Sequence, residues 1–248
     1  MKNIVTLKWG NRYGPEYVNR LYRAVQEHLT RPWRFICFTD NADNIIDGVD
    51  CFPLPALDGP ERLKATTWRK LALFRGDLPI EGLALFLDLD LIVTGNLDVF
   101  FEYEDHDSIP IIHNWIESHK TWFRKRPEIG NSSVFRFPAG QCVELYQQYL
   151  DEMSWAIEQF HPPQTYLTHV IRPRMQYWPD EWVISFKRHL HRPFPLNWGW
   201  PAASPPAEAR IVVFHGRPDP PQAAKGYHGK KPHHRVRPTP WVEEYWEQ

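Results

Sequence analysis

Residues Leu83–Phe101 read LALFLDLDLIVTGNLDVFF. Leu83 to Leu87 is an unbroken apolar run, the length of a strand buried on both faces in a parallel or mixed sheet. It then meets two carboxylates, Asp88 and Asp90, one residue apart. In an extended chain, residues two apart project to the same side, so the pair can address a single point. Charges at the end of a fully buried strand need a partner, and a divalent cation suits two hard oxygen ligands. The same triplet can also cap a strand and begin a turn, which Gly95 and Asn96 would complete. The rest of the pattern has to decide between the two.

The 248 residues suit one α/β domain. A net charge of -1 provides no field that would draw the chain to nucleic acid, and no nucleic-acid partner is expected. Cys37, Cys51 and Cys142 are odd in number and lack metal-ligand spacing, so they read as free thiols in a reducing compartment. The opening MKNIVTLKW goes straight into a strand pattern with no signal-like segment, and no apolar run is long enough to span a bilayer. The expected location is therefore cytoplasmic. The 24 Pro and 12 Trp predict long ordered loops with aromatic surfaces.

Ile4 to Leu7 reads as a strand, Lys8 to Pro15 as a loop bearing Gly10 and Gly14, and Glu16 to Leu29 as a helix with apolar residues at helical spacing. A second strand, Phe35 to Phe38, ends at Thr39 and Asp40. This order begins a nucleotide-binding α/β sheet, whose ligands lie beyond the carboxyl ends of the strands. Thr6, Lys8, Trp9, Thr39 and Asp40 thus stand on the ligand edge. Val49 to Leu54 is a weak strand. Thr66 to Phe74 is a helix with Trp68, Leu71 and Phe74 on one side and Lys70 on another. Ile109 to His113 is a strand, followed by a loop with Trp115, Trp122, Arg124 and Arg126. Gly140 to Glu158 is an amphipathic helix, and Pro162, Pro163 and Gln164 open a short one. Tyr177 to Lys187 reads as a strand pair around a turn, with Asp180, Trp182, Ser185 and Lys187. Arg192 to Ala209 is irregular. Arg210 to Phe214 is a last strand, running into His215, Gly216 and Arg217.

With its buried strand, Asp88, Asp90 and then Asn96, Asp98 and Phe100, the chain resembles the sugar-nucleotide-dependent glycosyltransferases of the GT-A fold. The resemblance is to glycosyltransferase family 8, the group of glycogenin and bacterial lipopolysaccharide galactosyltransferases. It implies a Rossmann-like GT-A domain over residues 1–215, with a mixed, mostly parallel central sheet flanked by helices. Residues 216–248 would be a basic lid or tail packed on the same domain. It also implies metal-dependent transfer of a hexose from a nucleoside diphosphate sugar, UDP-linked, to a hydroxyl acceptor such as a bacterial surface glycan, with anomeric configuration retained.

Further residues follow from the same resemblance. Trp68-Arg69-Lys70-Leu71 stands where the family has Phe or Tyr-x-Lys-Leu, whose Lys lies near the donor phosphates. Gly130 to Phe135 resembles the family's Phe-Asn-Ser-Gly, so Asn131 and Ser132 are expected at the donor sugar, with Ser133 replacing the Gly. Gln164 matches the Gln of an Asp-Gln pair at the reacting face of the sugar, while Pro163 replaces the Asp. Gln164 and Asp90 are the expected catalytic residues, and Asp88 and Leu89 the expected donor contacts. The family closes its metal site with His-x-x-Gly-x-x-Lys-Pro. Aligned on Gly216, that His falls on Val213 and that Lys on Asp219. His215, on the same side of an extended strand as Val213, is expected to supply the imidazole. Asp88, Asp90 and His215 would then hold Mn²⁺ or Mg²⁺. Gly216 is an expected donor contact, and Arg217, Lys225, Lys230 or Lys231 would meet the phosphates.

Beyond Gly216 more than twenty residues lack periodicity and are rich in Lys, Arg and His. Such a stretch beside a diphosphate site reads first as a lid that orders on donor binding and excludes water. Contact with anionic lipid at the inner membrane face comes second, and a solvated tail third. Trp241 to Trp246 would dock a final short helix. Two other functions share the pattern. A nucleotidyltransferase acting on sugar phosphates needs a glycine-rich phosphate loop after the first strand, and LKWGNRYG is a poor one. A non-catalytic nucleotide-sugar binder would account for the missing Asp and the displaced His.

Overall fold

Seven strands form the central sheet of the computed structural model, which describes residues 1–115, 125–160 and 163–247. Trp122, Arg124 and Pro162 lie outside the described residues. The strands are β1 (Lys2–Lys8), β2 (Trp33–Thr39), β3 (Val49–Pro53), β4 (Gly82–Leu87), β5 (Leu91–Val93), β6 (Ile109–His113), β7 (Gly130–Ala139), β8 (Met175–Tyr177), β9 (Val183–Ser185) and β10 (Ile211–Val213). The large sheet runs β3-β2-β1-β4-β7-β6-β8, and β5, β10 and β9 make a second, three-stranded sheet. β4, which delivers the carboxylate pair, is the middle strand. β3, β2, β1 and β4 are mutually parallel, β7 is antiparallel to both β4 and β6, and β8 is parallel to β6. The sheet is mixed and mostly parallel, as expected.

Helices cover both faces: α1 (Pro15–His28), α2 (Glu61–Lys64), α3 (Asp98–Glu102), α4 (Val143–Gln159), α5 (Pro163–Ile171), α6 (Pro220–Lys225) and α7 (Pro240–Glu247). α1 starts on a proline, whose missing N–H has no partner in a first turn anyway, and buries Tyr17, Val18, Leu21 and Val25. Strand alternation sends Ile4, Phe35, Leu85 and Leu87 into one core, and Val5, Ile36, Ala84 and Phe86 into the other. Two buried faces explain why β4 reads as continuous apolar sequence rather than an alternating one.

Two expectations are corrected. Thr67–Phe74 is a 3-10 helix, not an α-helix, and six of its eight residues are buried, Lys70 among them. It lies under α4 and α5, so no face is left for a solvated lysine. Tyr177 to Lys187 is not a strand pair: β8 joins the large sheet and β9 the small one. Between them Trp178 and Trp182 pack on Phe100 and Tyr103, with ring centroids 4.9 and 5.4 Å apart, in the core that residues of both sheets share. The stretch after Gly216 lacks a long period because it is built from short pieces. α6 carries a capping box between Asp219 and Gln222, Tyr227 bridges Val236, and α7 packs Trp246 on Tyr17 at 4.9 Å. Ala223, Val236, Trp241 and Val242 are buried in the same core as β10. The three cysteines are free. Among the described residues, no helix is long and apolar enough to cross a membrane.

Candidate functional site

Asp88 and Asp90 leave the carboxyl end of β4, and the inward turn of the 3-10 helix brings Lys70 beneath them. Lys70 Nζ lies 2.8 Å from Asp88 Oδ1 and 2.9 Å from Oδ2, and donates to Ser132 O at 2.9 Å and Ser132 Oγ at 3.3 Å. The Phe86 ring sits 4.9 Å from the same ammonium. At 2 % exposure this cation is held entirely by the site. β7 supplies the neighbouring wall: Asp88 N donates to Ser133 O at 2.9 Å, and Asn131 Oδ1 accepts from Ser133 N at 3.0 Å. Gly130 N donates to Thr168 Oγ1 at 2.9 Å, which ties α5 to the start of β7. Gln164 stands one turn earlier on α5, its carbonyl accepting from Thr168 Oγ1 at 3.0 Å.

Asp90 accepts a hydrogen bond from Tyr13 Oη at 2.7 Å. Burial first, and then the charge of Asp88, holds its carboxyl well above the usual carboxylate range, although Tyr13, Lys70 and Arg12 pull the other way. Burial, and then Asp90, raises the Tyr13 hydroxyl in turn. Arg12 Nη2 stands 3.5 Å from Asp219 Oδ1, and Arg217 Nη1 donates to Asp219 Oδ2 at 2.9 Å. Arg12, Tyr13 and Asp219 are the participants that sequence reading missed. The first two lie in the Gly10–Gly14 loop beyond β1, so strand topology could have pointed to them.

The other expected residues are distributed as follows. Thr6 is fully buried, and its Oγ1 has no hydrogen-bond partner among the described residues. Lys8 donates to Asn41 O at 3.0 Å, Asp40 accepts from Gly10 N at 2.8 Å, and Arg69 lies 5.9 Å from the Trp9 ring. Leu89 is buried between the two carboxylates in sequence. Gly216 has φ +82°, a left-handed conformation that favours glycine, with open space where a side chain would be.

The triad of Asp88, Asp90 and His215 does not assemble: among the described residues, no three His, Cys, Asp or Glu side chains stand together in a way that could hold a metal ion. β10 runs antiparallel to β5, and Phe214 N donates to Asp90 O at 3.0 Å, so Phe214 rather than His215 is level with Asp90. Alternation then turns His215 away. Its Nε2 lies 2.7 Å from Ser185 Oγ, and its ring is 5.6 Å from Trp115 and nearly parallel to it. Burial, then the positive Lys187 and Arg188, lowers His215 to about 4.

Asp88 and Asp90 still fit a dication as two ligands. The burial of Asp90 beside a second carboxylate leaves negative charge under-compensated, and Mg²⁺-type ions use one or two carboxylates and complete their shell with phosphate oxygens and water. An open groove of about 600 Å³, lined by Met1, Lys2, Gly82, Leu83 and Pro138, lies at the opposite edge, where β1 and β4 begin. Ligands of such sheets lie at the carboxyl ends, which makes the carboxylate pair rather than this groove the candidate site.

His215 makes a prediction about pH. A base with a folded pKa near 4 and an ordinary value near 6.5 binds its proton more readily when unfolded. Its contribution is therefore complete above pH 6.5 and is lost as pH falls toward 4, by about 3 kcal/mol in all. Urea melts of wild type and His215→Gln should converge as pH drops from 7 to 4. Parallel curves would rule this out.

No family model matches the chain, and neither does any curated protein. Solved structures do. A galactosyltransferase, LgtC, in complex with donor and acceptor sugar analogues, superposes with a TM-score of 0.60 at 12% identity, covering 99% of this chain and 94% of that one. The glycosyltransferase GlyE of Streptococcus pneumoniae gives 0.63 at 13% identity, covering all of this chain and 60% of GlyE. The bifunctional glycosyltransferase WbbM gives 0.53 at 10% identity, covering 98% of this chain and 51% of WbbM. The chain thus has the GT-A fold of these glycosyltransferases, and it spans 60% of the length of GlyE and 51% of that of WbbM.

Proposed function

We propose that this chain is a glycosyltransferase that moves a hexose from a UDP-sugar to a hydroxyl acceptor such as a surface glycan. The observation that carries the reading is the Asp88–Asp90 pair at the carboxyl end of the middle strand, closed from below by the buried Lys70, in a GT-A fold. Mn²⁺ or Mg²⁺ held by Asp88 and Asp90 would supply Lewis-acid stabilisation of the charge that builds on a leaving diphosphate. Lys70 holds the Asp88 carboxylate in place, and its positive charge would lie on the side where that diphosphate develops. Thr6, Lys8, Trp9 and Asp40 would line the nucleotide end, with Gly216 leaving the phosphates room and Arg217 in reach beside it. Asn131 and Ser132 on β7 and Gln164 on α5 would face the sugar. Pro163 leaves no carboxylate beside Gln164, which supports front-face attack guided by the donor phosphate over a covalent glycosyl intermediate, two routes that would both retain configuration. The three free cysteines support a reducing, cytoplasmic setting.

The test is a thermal-shift and donor-hydrolysis panel of nucleotide sugars with and without Mn²⁺, since a ligand that binds only the native state raises the melting temperature. A UDP-sugar should raise it only with the metal. In Asp90→Asn the shift should vanish and hydrolysis should fall by about a hundredfold or more. A metal-independent shift of equal size would overturn the reading. Because no third ligand is assembled among the described residues, a second reading stands beside it, a nucleotide-sugar binder without turnover. A metal-dependent shift with no hydrolysis and no transfer to any glycan acceptor would select that one. Pyrophosphate released from a nucleoside triphosphate and a sugar phosphate would instead mark a nucleotidyltransferase.

A further inference from the structure

Among the described residues, seven large hydrophobic side chains are exposed, and four of them, Phe194, Leu196, Trp198 and Trp200, fall within seven positions of one loop. Their exposures are 58, 45, 49 and 60 %. Scattered exposed apolar residues are ordinary, whereas a cluster of this kind marks an interaction surface.

The charges around the cluster are of one sign. Neither residues 182–207 nor residues 220–242 contain an Asp or Glu. The fold lays the two segments side by side. Asn197 Nδ2 donates to Pro232 O at 3.0 Å and to Arg235 O at 2.9 Å, Trp198 Nε1 donates to Pro232 O at 3.2 Å, and His191 Nε2 donates to Arg235 O at 2.8 Å. The Arg235 guanidinium lies 5.0 Å from the Trp198 ring. Lys187, Arg192, Lys230 and Lys231 are exposed around these contacts, and none has an ion-pair partner among the described residues. The cation Lys187 bears on His191, His215 and His234 alike, which places it within the same patch.

We propose that the Phe194–Trp200 loop and the Lys230–Lys231 turn together form a docking surface for an anionic lipid bilayer. Aromatic rings with apolar bodies and polar edges settle at the headgroup level, while lysines and arginines around them pair with anionic headgroups. A soluble polyanion would account for the cations but not for an exposed leucine and phenylalanine. The contact is peripheral, made by loop side chains.

The test is co-sedimentation of the full chain with phosphatidylcholine vesicles in which about one lipid in three is phosphatidylglycerol, at about 0.1 M NaCl. Pure phosphatidylcholine vesicles and heparin serve as the other two arms. The protein should sediment with the anionic vesicles and not with the neutral ones. Lys230→Glu with Lys231→Glu should weaken binding about tenfold or more. Leu196→Ser with Trp200→Ser, both exposed positions, should weaken it several-fold and leave heparin binding unchanged. Equal melting temperatures for all variants would tie the losses to the surface itself. No sedimentation with anionic vesicles would overturn the proposal. So would full binding by the Leu196 and Trp200 variant together with heparin binding as strong as vesicle binding, which would make the patch a polyanion surface.

Discussion

Lys70→Met is expected to destabilise the protein by about 3 kcal/mol, which for a domain of this size lowers the melting temperature by roughly 6–12 °C. The ammonium is 2 % exposed and lies within 2.9 Å of both Asp88 oxygens and of the Ser132 carbonyl. Removing it leaves Asp88 beside Asp90 with no cation in contact, and leaves the carbonyl of Ser132 without that donor. Asp88 keeps 24% side-chain exposure, so water offsets part of the loss, and the estimate sits at the low end for a broken buried pair. The double substitution Lys70→Met with Asp88→Asn should recover a large part of it, because the uncompensated charge then disappears. Chemical denaturation of the two single variants and the double measures that coupling, and strictly additive losses would show that the ion pair is unimportant. Under the proposed function, Mn²⁺ should stabilise Lys70→Met more than wild type, since the two carboxylates would then lack the ammonium that Asp88 contacts.

The largest effect on stability alone is expected at Arg136. This side chain is fully buried on β7, and its guanidinium donates to Phe100 O at 3.1 Å, Asp105 O at 2.7 Å and Ser108 Oγ at 3.2 Å, and to Tyr103 O. It thereby closes the turn between α3 and β6 with backbone carbonyls in place of a carboxylate partner. Arg136→Met keeps much of the volume but leaves those acceptors without their donor, at about 1–3 kcal/mol for each one that solvent does not reach. We expect a total near 5 kcal/mol and little soluble protein at 37 °C. Arg136→Lys should recover only part, because one ammonium cannot span acceptors that the planar guanidinium reaches from two nitrogens. A melting temperature for Arg136→Met within a few degrees of wild type would refute this account.

Arg136 also shows where sequence reading stops. In Val134-Phe135-Arg136-Phe137 the arginine sits where an alternating strand would point to solvent, and only the helices on both faces of the sheet put it inside. Lys70 is similar. On an amphipathic helix it would be solvated, and it is buried because Thr67–Phe74 winds as a 3-10 helix beneath α4 and α5. The Asp88–Asp90 pair was legible, because a long apolar run ending in two carboxylates is a local signal that no neighbour has to supply. His215 was misplaced for the complementary reason. Strand alternation told correctly which residues share a side of β10, but which side faces β4 depends on the pairing of β10 with β5, and that is a long-range register.

The amino-acid order alone determined most strands of the large sheet, the strand that carries the two carboxylates and the end of it at which they stand, because hydrophobic period and run length act within a few residues. The tertiary structure alone decided which polar groups meet: Tyr13 with Asp90, Lys70 with Asp88, His215 with Ser185, and the aromatic loop with the basic turn. Those contacts join residues far apart in the chain, and their geometry follows from strand register and helix packing, which no local pattern encodes.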